Sequence, residues 1–254
     1  MPNVLIIRAP GTNCDAETKY AFQMAGAKKV DAVHINRLLA ESRLLNDYQI
    51  LCIPGGFCYG DDIGAGKILA SKLSRNLGDI LHLFCDSDKL ILGICNGFQV
   101  LLKSGLLLSD TSGEPIATLA WNDSAVYTDK WIHLQSNDTK CVFLNGIKEL
   151  YLPIAHAEGR FVPKGEPSVL ANLNNSGQLA LRYKENENPN GSIADVAGVC
   201  DSSGRIFGLM PHPERFIDIF QHPHWTRIIE NEKYKEKNNG GGLKIFQNAI
   251  SYFS

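Results

Sequence analysis

LILGICNGFQVLL, residues 90–102, is the stretch that decides how this chain folds. Leu90–Ile94 is an unbroken apolar run of strand length, and a helical pattern over about Phe98–Leu107 follows almost at once. Between them lies Gly93-Ile94-Cys95-Asn96-Gly97, the G-x-S-x-G elbow pattern with Cys in place of Ser. A sharp strand-to-helix turn pushes its central side chain out above the edge of a sheet. The flanking positions must be small, because helix and neighbouring strands close in on them. A helix N-terminus at that point favours negative charge on the sulfur. Its first free backbone N–H, that of Asn96, is placed to hold an oxyanion. Cys95 is therefore the candidate nucleophile. The other six cysteines (14, 52, 58, 85, 141 and 200) lack such a frame and read as small core residues.

Outward from the elbow, strands alternate with helical patterns through the first half. Val4–Ile7, Val30–Ile35 and Ile50–Ile53 read as strands. Asp15–Ala25 reads as a helix, capped by Asn13 or Asp15 and stopped by Gly26. That alternation predicts a doubly wound, mainly parallel α/β sheet covered on both faces. The second half changes character. Segments 115–121, 125–135, 140–144, 151–156, 179–183, 193–200 and 205–210 read as short strands between turn residues, so antiparallel additions are expected. A polar, glycine-rich mobile loop over 231–242 and a last helix over 243–252 complete the reading. One domain spans 1–254, with a core of about 3–216 and a C-terminal extension from 217.

Composition narrows the function. A net charge of −2 offers no basic field for a nucleic-acid backbone. The most apolar stretch, 90–108, contains Asn96, Gln99 and Lys103, which argues against a membrane span. Seven cysteines, an odd number with no C-x-x-C pair, and no secretory start point to a reducing, cytoplasmic setting.

A thiol nucleophile needs a base held by a third group. MPHPER at 210–215 supplies one: Pro213 biases His212 toward an extended conformation, which places Glu214 on the same side as the imidazole. If 206–210 is a strand ending on the edge where Leu90–Ile94 ends, His212 meets Cys95. His222 and His224 have the H-x-H spacing of metal ligands but no nearby partner set, and no metal is expected. PGGFCYGDDIGAGK at 54–67 fails as a phosphate loop, because Asp61 and Ile68 stand where glycine and Ser or Thr are required. As a loop following strand 50–53 it lies beside the elbow, and the N–H of Gly56 is the expected second oxyanion donor.

With GICNGFQ, PGGF and HPE in chain order, the sequence resembles class I, or triad, glutamine amidotransferases. RAPGTNCD at 8–15, PGGFCYGDD at 54–62, PIAHAEGRF at 153–161 and PNGS at 189–192 make it similar to the glutaminase subunits of phosphoribosylformylglycinamidine synthase. Cys58 stands where that family's loop is expected to carry Ser, and 217–242 is longer than expected. The resemblance implies a flavodoxin-like sheet and a Cys95–His212–Glu214 triad that hydrolyses L-glutamine. It implies that Gln99 helps hold the substrate. It also implies a larger synthetase subunit, which uses ATP and Mg, and a small bridging subunit, with no cofactor in this chain. Another pathway's amidotransferase, a peptidase-like hydrolase or a non-enzymatic regulatory subunit are the rival readings. No ATP-binding motif emerges here, so the chain is expected to need its partner and to be nearly silent alone.

Overall fold

The computed structural model describes residues 1–136, 139–165, 167–230 and 239–254. Five parallel strands form its heart. They are β1 (Asn3–Arg8), β2 (Lys29–His34), β3 (Ile50–Ile53), β4 (Leu90–Ile94) and β11 (Ile206–Leu209), arranged β2-β1-β3-β4-β11. Every residue of β3, β4 and β11 is buried, as expected where a parallel sheet is covered on both faces. The sheet continues antiparallel through β10 (Val196–Cys200), β9 (Leu181–Tyr183), β6 (Thr128–Gln135) and β7 (Glu149–His156). β5 (Ala117–Ala120) and β8 (Arg160–Pro163) pair separately. The mainly parallel α/β sheet with antiparallel additions is thus as expected.

Two helix pairs cover the parallel strands. α1 (Asp15–Met24) packs on the C-terminal α7 (Leu243–Ser251), with Phe22 set edge-on to Phe246 at 4.9 Å between centroids. α3 (Lys67–Asp86) packs on α4 (Asn96–Lys103). α3 is the largest element that the sequence reading passed over. Its signal was present: Leu69, Leu73, Leu77 and Leu81, all buried, recur every fourth residue. The short helices α2 (Ile35–Ala40), α5 (Pro167–Asn175) and α6 (Trp225–Glu230) and strand β8 were likewise unforeseen.

Three boundaries need correction. α4 starts at Asn96, directly after Cys95, and ends at Lys103, where Gly105 at φ +77° turns the chain away. Segment 140–144 is a single 3-10 turn, Val142–Leu144, because Cys141 N–H and Val142 N–H are drawn to Thr139 Oγ1 and Gly204 O rather than to a strand. Segment 193–200 opens with a 3-10 turn in which Ala194 and Asp195 adopt positive φ, and only Val196–Cys200 is strand. The expected loop over 231–242 falls mainly on residues 231–238, which lie outside the described residues.

Glycine makes the elbow possible by its absence of bulk. A Cβ on Gly97 would sit 1.9 Å from the carbonyl oxygen of Ile53, and one on Gly93 would sit 2.7 Å from Gly97 O. Gly97→Ala must push α4 off β3. A stability loss of about 3 kcal/mol is expected for such overpacking against backbone. At 2–4 °C per kcal/mol this lowers the melting temperature by roughly 6–12 °C, which thermal unfolding of the variant would measure.

Candidate active site

The C-terminal ends of β1, β3, β4 and β11 share one edge, and RAPGTNCD, PGGFCYGDD, GICNGFQ and MPHPER emerge there. Cys95 is the residue between β4 and α4. Its backbone, at φ 49° and ψ −103°, is strained for a residue with a Cβ, as a nucleophile elbow requires. Leu209 O accepts from Cys95 N–H (2.7 Å), so β11 fixes the turn. The sulfur lies 3.7 Å from Ala155 O at the end of β7. Cys95, Gly56, Gln99, Trp121, His156 and Glu158 are among the walls of a cavity of about 260 Å³. That is below the roughly 300–1,000 Å³ of drug-sized sites and suits a single amino acid.

His212 follows β11 and is 2% exposed; Glu214 is fully buried. His212 Nδ1 and Glu214 Oε1 are 2.7 Å apart. The pairing is the expected one, but the backbone reaches it differently. Pro213–Arg215 forms a 3-10 turn that swings Glu214 back under the ring, instead of an extended chain placing i and i+2 side by side. His212 N–H donates to Pro153 O (2.9 Å), which anchors the turn to β7. Burial works against charge on His212. The Glu214 carboxylate, then the thiols of Cys95 and Cys14, outweigh it and push the imidazole well above its ordinary range. Its Nε2 has no hydrogen-bond partner among the described residues.

Cys14 is the residue that sequence reasoning undervalued. A Cβ on Gly55 would meet both Cys14 Sγ (3.2 Å) and His212 Cε1 (2.8 Å), so thiol and imidazole crowd the same glycine. Arg215 Nη2 donates to Cys14 Sγ (3.2 Å) and its Nε faces Glu17 (3.5 Å), tying the turn after His212 to α1. The signal available was position alone: RAPGTNCD leaves β1 on the edge that carries the elbow.

The loop after β3 lines the same cavity as Cys95. Gly56 has φ +142°, and a Cβ there would meet Asn13 N at 2.8 Å, so only glycine fits. Neither the Gly56 nor the Asn96 N–H donates to an acceptor among the described residues. The side chains behind them are committed. Asn96 Oδ1 accepts from Cys58 N–H (3.1 Å), while Nδ2 donates to Asp61 Oδ1 (3.1 Å) and Gln99 Oε1 (2.9 Å). Gln99 Nε2 donates to Glu158 O (2.6 Å). The Glu158 carboxylate accepts from Ala65 N–H (3.2 Å) and from Lys103 Nζ (3.3 Å). The loop is therefore tied to α4 and to the end of β7 within this chain itself. His222, the other histidine of interest, packs on Trp131 at 4.5 Å between centroids and accepts from His224 N–H through Nδ1 (2.9 Å).

A cysteine at a strained elbow, a buried imidazole–carboxylate pair and two free N–H groups are the parts needed for acyl transfer from an amide. The similarities of the chain agree. Residues 1–253 match the CobB/CobQ-like glutamine amidotransferase domain. The phosphoribosylformylglycinamidine synthase subunit PurQ of Dehalococcoides mccartyi is 46% identical, over 98% of this chain and 96% of that protein. PurQ of Methanococcus maripaludis strain S2 is 43% identical over 100% and 98%. Among solved structures, that of PurLQS from Thermotoga maritima superposes with a TM-score of 0.75 at 29% identity, covering 100% of this chain and 99% of that one. A glutamine amidotransferase of the same organism, at 16% identity, a TM-score of 0.56 and 98% and 96% coverage, shares the fold. On these grounds the chain belongs to the CobB/CobQ-like glutamine amidotransferases and, within them, to the PurQ subunits of phosphoribosylformylglycinamidine synthase.

Proposed function

We propose that the chain hydrolyses L-glutamine with Cys95, His212 and Glu214 and passes the ammonia to a synthetase subunit. That partner converts formylglycinamide ribonucleotide to the amidine with ATP and Mg, in purine biosynthesis. A small bridging subunit completes the assembly, and this chain needs no cofactor of its own. The observation that carries the reading is the convergence on one sheet edge of the elbow, the 2.7 Å imidazole–carboxylate contact and the Gly56 loop.

Cys95 Sγ attacks the side-chain carbonyl carbon of glutamine. The carbonyl oxygen becomes an oxyanion held by the N–H groups of Gly56 and Asn96. His212 Nε2 gives a proton to the amide nitrogen, which leaves as ammonia. Water then attacks the glutamyl thioester while Nε2 takes its proton, and glutamate departs. Glu214 keeps the Nδ1 proton in place and stabilises the imidazolium. Gln99, itself part of the cavity wall, serves the substrate by holding Glu158 there and by anchoring the Asn96 side chain. No helix among the described residues is long and apolar enough to cross a membrane, and a cytoplasmic place suits the pathway.

Trapping tests the reading. In the presence of the synthetase, diazo-oxo-norleucine should form one covalent adduct, at Cys95 and at none of the other six free cysteines, with loss of glutaminase activity. The lone chain should react far more slowly, as expected of a glutaminase that works only beside its synthetase. An unmodified Cys95 in the active complex counts against the nucleophile, and full activity of the lone chain counts against partner activation.

A further inference from the structure

His156, the last residue of β7, is used by nothing in the mechanism above, although it is 3% exposed and lines the Cys95 cavity. Its tautomer follows from its neighbours. Asn122, itself buried, donates through Nδ2 to Val126 O and to His156 O, both at 2.9 Å. Its Oδ1 accepts from Gly159 N–H (3.2 Å) and lies 3.1 Å from His156 Nδ1. Both amide hydrogens are spent on carbonyls, so Oδ1 faces the ring as an acceptor and Nδ1 must carry the proton. His156 Nε2 is then a bare lone pair. It is shielded from water and has no partner among the described residues. A buried acceptor without a donor is costly and calls for one from outside the protein. The ring is held rigidly: a Cβ on Gly159 would lie 2.3–2.7 Å from three of its atoms.

The ring also stays neutral. Burial, and then the positive charge of His212, push its pKa down to about 4. A group so weakly basic accepts a hydrogen bond without taking up the proton itself. The adjacent residue, Ala155, already touches the nucleophile through its carbonyl oxygen.

We propose that His156 Nε2 accepts a hydrogen bond from the side-chain amide nitrogen of glutamine and orients that nitrogen, as it becomes ammonia, for the proton from His212. This rests on the triad reading given under Proposed function.

The test is dependence on the leaving group. A γ-glutamyl methyl ester has no N–H on its leaving group, so an acceptor for the amide nitrogen does nothing for it. In the complex with the synthetase, His156→Phe should lower kcat for glutamine hydrolysis about tenfold to a hundredfold, with KM changed little. Ester hydrolysis and synthesis from added ammonium should stay near wild type. His156→Gln, which keeps an acceptor, should recover part of the loss on glutamine. Equal losses on amide and ester, or no loss on either, would overturn the proposal. Retained ammonium-dependent synthesis shows that the variant folds and docks. Cys95→Ala judges the triad separately, because it must lose amide and ester hydrolysis alike.

Discussion

Cys95→Ala should abolish glutamine-dependent synthesis by the assembled enzyme while leaving ammonium-dependent synthesis intact. Removing a nucleophile that works as one unit with its base typically costs 10⁴-fold or more, so residual activity should fall to background. The second half of the outcome is what makes the first informative. Cys95 sits at φ 49°, a strain that alanine bears no worse than cysteine, and the turn is held by the bond from its own N–H to Leu209 O. The substitution removes one sulfur from a cavity wall, so the fold and the docking of the chain should survive. The synthetase then still receives ammonia from solution. Parallel assays with glutamine and with ammonium, on the same purified complex, separate the cases. Loss of both would make Cys95 a structural residue. Retention of both would place the nucleophile elsewhere, and Cys14 would be the first alternative.

The elbow was legible because its demands are local. A buried strand, a strained turn and a helix start must fall within a dozen residues, and close packing forces glycine at 93 and 97. The His212–Glu214 pair was legible for the same reason, two residues apart beside a proline, although the 3-10 turn that unites them was not read. Cys14 was missed because its role is a contact between segments two hundred residues apart, and a lone cysteine looks the same in a core. His156 was visible only as part of PIAHAEGRF. Its tautomer depends on Asn122, which no local pattern connects to it. α3 was not read despite its fourfold leucine spacing, because Gly66 before it offers no capping side chain to mark the helix start. The antiparallel half was blurred wherever positive φ, as at Ala194 and Asp195, ended a strand pattern early.

Glu214→Gln is the substitution that separates orientation from charge. Glutamine fills the same space and can still accept from His212 Nδ1, so the ring keeps its tautomer, but the buried anion is gone. In the native chain burial disfavours the imidazolium, and Glu214 heads the charges that overcome it and hold its pKa well above 6.5. Without Glu214, only Cys95 and Cys14 oppose burial, and the pKa falls from its raised value. His212 is then protonated less readily, and the proton for the departing nitrogen is harder to supply. Glutamine hydrolysis in the complex should fall by roughly 10³–10⁴-fold, the scale set by removing a triad carboxylate. Stability should report the same change. In the native chain the folded state binds the extra proton, so the contribution of this pair is complete below about pH 6.5 and is lost as pH rises through the raised folded pKa. In the variant the folded state binds it less tightly. The contribution of His212 is then smaller, and it is lost at a lower pH than in the native chain. Denaturant unfolding of both proteins across pH 5–9 would show the difference. Parallel pH profiles would mean that His212 titrates without regard to Glu214, and the carboxylate would then be a spacer rather than the partner that keeps the imidazole charged.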